Sequence, residues 1–355
     1  AAVDVGQITF NYNDGVAVQT VVRDIVGTGA DPAVLAIDSG PTYDYGLTAI
    51  GATVEHTFVV SNTGGSVAST LGGAAFVGPY SFPGGFPGTG GSCGPTLGAG
   101  LTCTVVVDYA PTLAVVSPDT LQINYNDGTG VVNATRPITG TGAAAALLTV
   151  AGPDPYDFGT LPVGGTAVQT LTITNSGGVD ATAVSGAGLT SPYSFDGGIY
   201  PGAGGTCAAT ITPGGGGSCT IVVRYSPITA AIHNDTIDIQ YNNGVGPVSE
   251  LHGLLGTGAT PALLTVSDGP SFNFGDGAIG ATYLKSFTIT NSGGTDATVV
   301  AGVALAAPFQ YEGGGAFPGA TGSCTPTITA GSTCTVLVEF VPAVVGSFAE
   351  TLTVN

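Results

Sequence analysis

Over 355 residues the chain carries four basic side chains, Arg23, Arg136, Arg224 and Lys285, against 23 acidic ones, for a net charge of −19 with only 8% of positions charged. Nucleic acid is recognised by clustered lysine and arginine, so that class of partner is excluded. Every apolar run is cut by Gly, Ser, Thr or Pro well short of a bilayer's thickness, so no membrane insertion is expected, while 60 glycines with abundant Thr and Val point to an all-β chain rich in turns.

The first element is a hairpin. "QITFNYNDG" (7–15) aligns with "TLQINYNDG" (120–128), so Tyr12 falls on Tyr125 and Gly15 on Gly128. Residues 1–29 therefore read as the closing hairpin of a domain and end on "GTG", as later copies do. The chain does not open with Met and shows no secretory leader, as expected of a processed form or of a window on something longer.

Three copies of one unit follow, at 30–142, 143–258 and 259–355. Each opens on an apolar strand ("AVLAI", "ALLTV", "ALLTV") and an aromatic-Gly step ("YDYG", "YDFG", "FNFG"). Next come a strand ending in Asn-x-Gly-Gly, then "PYSF", "PYSF" or "PFQY", a cysteine loop, a Cys-Thr strand and a proline break. The second cysteine recurs after 116 and then 115 residues. Roughly seven or eight short strands in about 115 residues is the strand count of an immunoglobulin-like sandwich.

Alternation assigns the faces of the Cys-Thr strand. Val105, Val107 and Tyr109 share one side, as do Ile221, Val223, Tyr225 and Val336, Val338, Phe340, and that side is expected to be core. One position opposite holds Asp108, Arg224 and Glu339 in turn, so it accepts any polar residue and faces water. Few residues separate one unit from the next ("GTGAAAALLTV", "GTGATPALLTV"), which predicts a stiff row of domains.

The six cysteines form local pairs, Cys93 with Cys103, Cys207 with Cys219 and Cys324 with Cys334, at spacings of 10, 12 and 10. Zinc would want tighter C-x-x-C pairs or nearby histidines, and His56, His233 and His252 share no repeat position. Disulfides in an oxidising, extracellular setting fit better.

The run "GSCGPTLGAGLTCTVVVDYAPT" (91–112), its two sister runs and the closing "GTG" resemble the choice-of-anchor-D repeats of bacterial surface proteins, relatives of the hydin-type immunoglobulin-like domains. The resemblance spans nearly the whole chain. It implies secreted or surface-attached multi-domain chains with structural or adhesive roles, and it supplies no catalytic residues.

Catalysis is not expected. "GGSCG" (90–94) fits the G-x-S-x-G pattern by letter, but no helix follows, its cysteine is paired and no histidine recurs nearby. No cofactor or metal is expected. Calcium is the one ion the carboxylate surplus raises, through oxygens of "GPDPYDFG" (152–159) or the "NYNDG" turns, yet no D-x-D-x-D spacing is present and Asn-Asp-Gly is first a tight hairpin turn. Phe86, Tyr200 and Phe317 repeat within the cysteine loops. They either stack on sugar rings, as in an adhesin, or cover their own disulfide or a neighbouring chain, and packing is the favoured reading.

The final unit stops at Asn355, which aligns with Asn124, before the turn of its closing hairpin. A hairpin is thus in surplus at one end and wanting at the other. Either the sequence is a window on a longer tandem protein, or copies of the chain associate head to tail by strand addition into an extracellular filament. Because residues 7–11 duplicate 351–355, the complementing strand would be residues 17–29. The strand candidates are Ala17, Gln19, Val21, Val22 and Ile25, with Leu352 and Val354 on the receiving side.

Overall fold

The computed structural model describes residues 3–214 and 217–355. Strands β1 (Val3–Asn13) and β2 (Val18–Thr28) form a two-stranded antiparallel sheet by themselves. The first sandwich then comprises β3 (Leu35–Ile37), β4 (Tyr43–Ala49), β5 (Val54–Asn62), β6 (Ala68–Gly73), β7 (Tyr80–Ser81), β8 (Thr96–Leu97), β9 (Thr102–Tyr109), β10 (Asp119–Asn126) and β11 (Val131–Ala143). One sheet has the order β3-β5-β9-β7 and the other β4-β11-β10-β6-β8, antiparallel throughout except that β4 runs parallel to β11.

The second sandwich repeats this arrangement with β12 (Leu148–Val150), β13 (Tyr156–Pro162), β14 (Ala167–Asn175), β15 (Ala181–Ala187), β16 (Tyr193–Phe195), β17 (Thr210–Ile211), β18 (Ser218–Tyr225), β19 (Ile232–Asn242) and β20 (Pro247–Ala259). Its sheets are β12-β14-β18-β16 and β13-β20-β19-β15-β17. The architecture is all-β, in tandem immunoglobulin-like sandwiches.

The expected core face of the Cys-Thr strand is buried: Val105, Val107, Tyr109, Ile221, Val223 and Tyr225 are all fully covered. The other face departs from simple alternation. Val106 and Val222 are also buried, because the cysteine loop folds back over them. The Val106 N–H donates to Pro87 O at 2.8 Å and the Val222 N–H to Pro201 O at 2.8 Å. This hydrogen-bonded cover shields the outer face from water.

Only residues 144–147 separate β11 from β12, and they are tied down. Ala146 N–H donates to Asn243 O and Gly178 N–H to Ala144 O, both at 2.9 Å. Ala49 of the first sandwich belongs to the second one's apolar cluster, resting on Gly244 at the tip of the β19–β20 hairpin, where a Cβ would come 2.9 Å from the Ala49 methyl. Glycine at this tip serves a positive φ of 93° and the close approach together.

The third sandwich has β21 (Leu264–Val266), β22 (Tyr283–Asn291), β23 (Ala297–Thr298), β24 (Phe309–Tyr311), β25 (Thr327–Ile328) and β26 (Thr333–Phe340). Its first sheet, β21-β22-β26-β24, matches its counterparts, but the facing sheet holds only β23 and β25. "FNFG" forms no strand here, and among the described residues no strand runs beside it as β11 and β20 run beside β4 and β13. A strand whose backbone partners are missing leaves its N–H and C=O groups to water and loses its regular form.

Candidate assembly site: an open sandwich and an unpartnered hairpin

Residues 348–355 stand where β10 stands in the first sandwich, held by three backbone hydrogen bonds: Ala301 N–H to Asn355 O, Asn355 N–H to Ala301 O and Val303 N–H to Thr353 O. The pairing of Gly302 with Val354 reproduces that of Gly73 with Ile123. Yet Leu352 and Val354 are only half-buried, whereas their counterparts Leu121 and Ile123 are fully buried. Leu352 lines a cleft of about 450 Å3 whose walls mix apolar residues, Phe274, Phe309 and Val338, with polar ones, Ser267, Asn273 and Glu350.

The β1–β2 hairpin is the converse. Every residue of both strands is exposed, including Ile8, Phe10, Tyr12, Val21 and Ile25. Its register is that of the closing hairpin β10–β11: Phe10 faces Val21 as Ile123 faces Ala134, and Ile8 faces Arg23 as Leu121 faces Arg136. Leu121, Ile123, Tyr125, Ala134 and Ile138 are buried in the first sandwich, whereas their counterparts Ile8, Phe10, Tyr12, Val21 and Ile25 meet solvent.

Four contacts show how a closing hairpin is held. Tyr125 Oη accepts the Leu35 N–H at 3.1 Å, and Tyr241 Oη accepts the Leu148 N–H at 3.2 Å. The Arg136 guanidinium donates to the carbonyls of Ile37 and Gly40. Gly140 and Gly256, in the "GTG" step, lie against Tyr109 and Tyr225, where a Cβ would come 2.7 Å from either ring. The hairpin turn accepts the N–H of the entering chain, Ala33 to Asp127 O at 2.9 Å. In β1–β2 the same positions are Tyr12, Arg23, Gly27 and Asp14, and Gly27 has open space around it.

The strand candidates sort by this register. Gln19, Val21 and Ile25 lie on the face that is turned to the core in β11, and Val22 lies on the other. Ala17 is in the turn, before β2 begins.

The disulfides Cys93–Cys103, Cys207–Cys219 and Cys324–Cys334 are closed, each with Cα atoms 4.8 Å apart. Each is flanked by a reciprocal hydroxyl clamp: Ser92 Oγ accepts the Thr104 N–H at 2.9 Å, as Thr206 does from Thr220 and Ser323 from Thr335. The serine of "GGSCG" is thus engaged with Thr104. Closed disulfides belong to an oxidising, extracellular environment.

Phe86, Tyr200 and Phe317 are half-buried, and they lie over glycines of their own sandwich, Gly73, Gly186 and Gly302, where a side chain would overlap the ring. Each meets an aromatic of the PYSF-type motif edge-on: Phe82 at 5.4 Å, Phe195 at 5.5 Å and Tyr311 at 5.8 Å. Burial pushes the Tyr200 hydroxyl up to about 12. Each ring thus closes a gap over a glycine of its own sandwich.

Among the described residues no group of three or more His, Cys, Asp or Glu could hold a metal ion. The turn carboxylates are occupied locally. Asp127 accepts from the Thr129 and Gly130 N–H groups at 2.7 and 2.9 Å, and these bonds hold its carboxyl below the usual range. Asp154 accepts the Gly253 N–H at 2.7 Å.

Asn62, Asn175 and Asn291, the asparagines of Asn-x-Gly-Gly, are almost wholly buried and organise the turn that follows them. Asn175 donates to Val179 O and Ile211 O and accepts from Leu147 and Gly177 N–H; Asn62 and Asn291 do the same at their own positions. Recurrence of an uncharged polar residue at the same point of all three units was the available signal.

No protein-family model matches the chain and no curated protein is similar to it in sequence. Among solved structures, a fragment of three immunoglobulin domains of titin is similar over 91% of this chain and 97% of its own, at 11% identity and TM-score 0.33. Extracellular cadherin domains 1–4 of a gamma protocadherin match 93% of this chain and 73% of their own, at 12% identity and TM-score 0.31. A protein of unknown function from Porphyromonas gingivalis matches 63% of this chain and 99% of its own, at 13% identity and TM-score 0.25. No helix among the described residues is long and apolar enough to cross a membrane.

Proposed function

We propose that this chain is a non-catalytic structural segment of an extracellular or cell-surface filament, a bacterial one of the choice-of-anchor-D or hydin-like kind that its repeats resemble. Its sandwiches are joined end to end through closing hairpins. The observation that carries the reading is the shared register of β1–β2 and β10–β11, set against a third sandwich whose second sheet is unfinished. The hairpin that finishes it comes either from continuation of a longer tandem chain or from head-to-tail strand complementation.

The magnitudes permit completion. Burying Ile8, Phe10, Tyr12, Val21 and Ile25 at about 1.5 to 3 kcal/mol each yields a gross gain of about 7 to 15 kcal/mol. That is of the order of the roughly 4 to 15 kcal/mol that association costs in lost freedom, and backbone pairing adds to it. An adhesin using the loop aromatics is the weaker reading, since Phe86, Tyr200 and Phe317 are engaged with their own glycines. Electron microscopy of the purified chain tests the proposal: regular fibres with a sandwich-sized repeat support it, whereas collapsed or irregular particles oppose it.

A further inference from the structure

We infer that each of the first two sandwiches is a tension-bearing link, in which a pull along the chain is taken up in shear by a parallel strand pair, β4–β11 in one and β13–β20 in the other. This goes beyond the filament reading and stands apart from it, since the geometry lies inside single sandwiches.

The chain enters each sandwich at one end and leaves at the other. In the first, the tip of the β10–β11 hairpin accepts the N–H of the entering chain, Ala33 to Asp127 O, and the exit is Ala143, at the far end of the 13-residue β11. The second is entered at Ala146, bound to Asn243 O at the β19–β20 tip, and left at Ala259, the end of the 13-residue β20. A strand of that length spans about 40 Å, so the two points of pull are separated along the strand direction.

β4 runs parallel to β11 from Tyr43 opposite Ile138 to Ala49 opposite Ala143, and β13 runs parallel to β20 from Tyr156 opposite Leu254 to Pro162 opposite Ala259. A backward pull on the start of β4 and a forward pull on the end of β11 slide the two strands past each other. Their hydrogen bonds then stretch together instead of opening one at a time, so rupture requires all of them to fail at once. In the first sandwich the Arg136 guanidinium adds a tie from β11 to the carbonyls of Ile37 and Gly40, on the chain leading into β4.

At its exit end each pair closes on one more backbone bond, Ile50 N–H to Ala143 O and Val163 N–H to Ala259 O, both at 2.8 Å. These two donors can be removed without disturbing their turns. Ile50 is the second residue of a turn closed by Ala52 N–H to Ala49 O, with Gly51 next at a φ of 92°; Val163 has the same place between Pro162 and Gly165, with Gly164 at 85°. That is the type II shape, which favours proline at the second position. Ile50→Pro and Val163→Pro therefore keep the turn and delete the N–H, with folding checked by circular dichroism.

The test is single-molecule stretching of the 355-residue chain held by its two ends. Two unfolding events are expected, each releasing roughly 250 to 300 Å while the disulfide loops stay closed, and each lengthened by roughly 30 to 40 Å on reduction. Ile50→Pro should speed one event about three- to tenfold at a given force, and Val163→Pro the other. Phe86→Ala, which thins the packing away from the strand pair, should lower the first sandwich's melting temperature yet keep its forced unfolding within about twofold of wild type. Proline variants that unfold at the wild-type rate overturn the inference, as does Phe86→Ala speeding forced unfolding as much as Ile50→Pro, or traces lacking two events of that length. Each of these results leaves the filament reading to its own test by microscopy.

Discussion

Gly140 lies flat against the ring of Tyr109, so close that a Cβ would sit 2.7 Å from the ring carbons, and Gly256 repeats the contact on Tyr225. Packing a methyl or larger group there forces the tyrosine off its place in a fully filled core. Gly140→Val is expected to destabilise the first sandwich by about 1 to 3 kcal/mol. Differential scanning calorimetry should show a lowered transition for that sandwich, with the second unchanged; an unshifted thermogram would mean the core yields more readily than the contact implies.

Asn175 presents a second point of failure. Its four hydrogen bonds run inside the sandwich, and truncation strands Ile211 O and Val179 O without donors. Asn175→Ala is expected to cost at least about 2 kcal/mol, read as an earlier urea midpoint for the second sandwich. Equal midpoints for variant and wild type would show that water takes over the asparagine's bonds.

The position equivalent to His56 is Gln169 in the second unit and Lys285 in the third, and each meets an aromatic. His56 stacks on Tyr43 with centroids 3.7 Å apart, Gln169 accepts from the Tyr156 hydroxyl at 2.7 Å, and the Lys285 ammonium lies 4.4 Å from the Phe272 centroid. Burial lowers the pKa of His56, partly opposed by nearby Asp38. Below its unfolded pKa of about 6.5 the unfolded chain binds the extra proton more readily. The contribution is thus complete above that pH and is lost as pH falls through the lowered folded value. The first sandwich should lose stability on moderate acidification, and His56→Gln should flatten that dependence in melts taken across the window.

The loop aromatics make a separate prediction. Phe86→Ala opens a gap over Gly73 and removes the edge-on contact with Phe82, so it should lower the first sandwich's stability by about 2 to 4 kcal/mol. A glycan array probed with wild type and this variant should show no sugar-dependent binding to lose. Strong binding by wild type that disappears in the variant would favour the adhesin.

Reduction should act on all three sandwiches. Loops of 10 to 12 residues closed by disulfide bonds are worth about 2 to 3 kcal/mol each through restriction of the unfolded chain. Melting with and without a reductant measures this, and three unchanged transitions would transfer the stabilisation to the Ser92–Thr104 type of clamp.

Much of the fold was legible because repetition and period-two alternation are both written in side chains. Val105, Val107 and Tyr109 announce a core face without any structure. What stayed hidden depends on backbone brought together from afar. The burial of Val106 needs Pro87 folded over it, and Tyr43–Ala49 becomes a strand only because β11 runs beside it, which is why Phe272–Gly275 forms none. The unequal ends of the chain were visible in the sequence, but the features that hold a closing hairpin, Tyr12, Arg23 and Gly27, gained meaning only from Tyr125, Arg136 and Gly140 in contact with their partners.

The most direct measurement is amide hydrogen exchange of the third sandwich in dilute and concentrated solution. In dilute solution, residues 272–278 and 348–355 should exchange far faster than their counterparts 43–49 and 117–124. On concentration, 272–278 and β2 should become protected. Equal protection of the two sandwiches in dilute solution, or a third sandwich that stays open however concentrated the chain, would contradict the account.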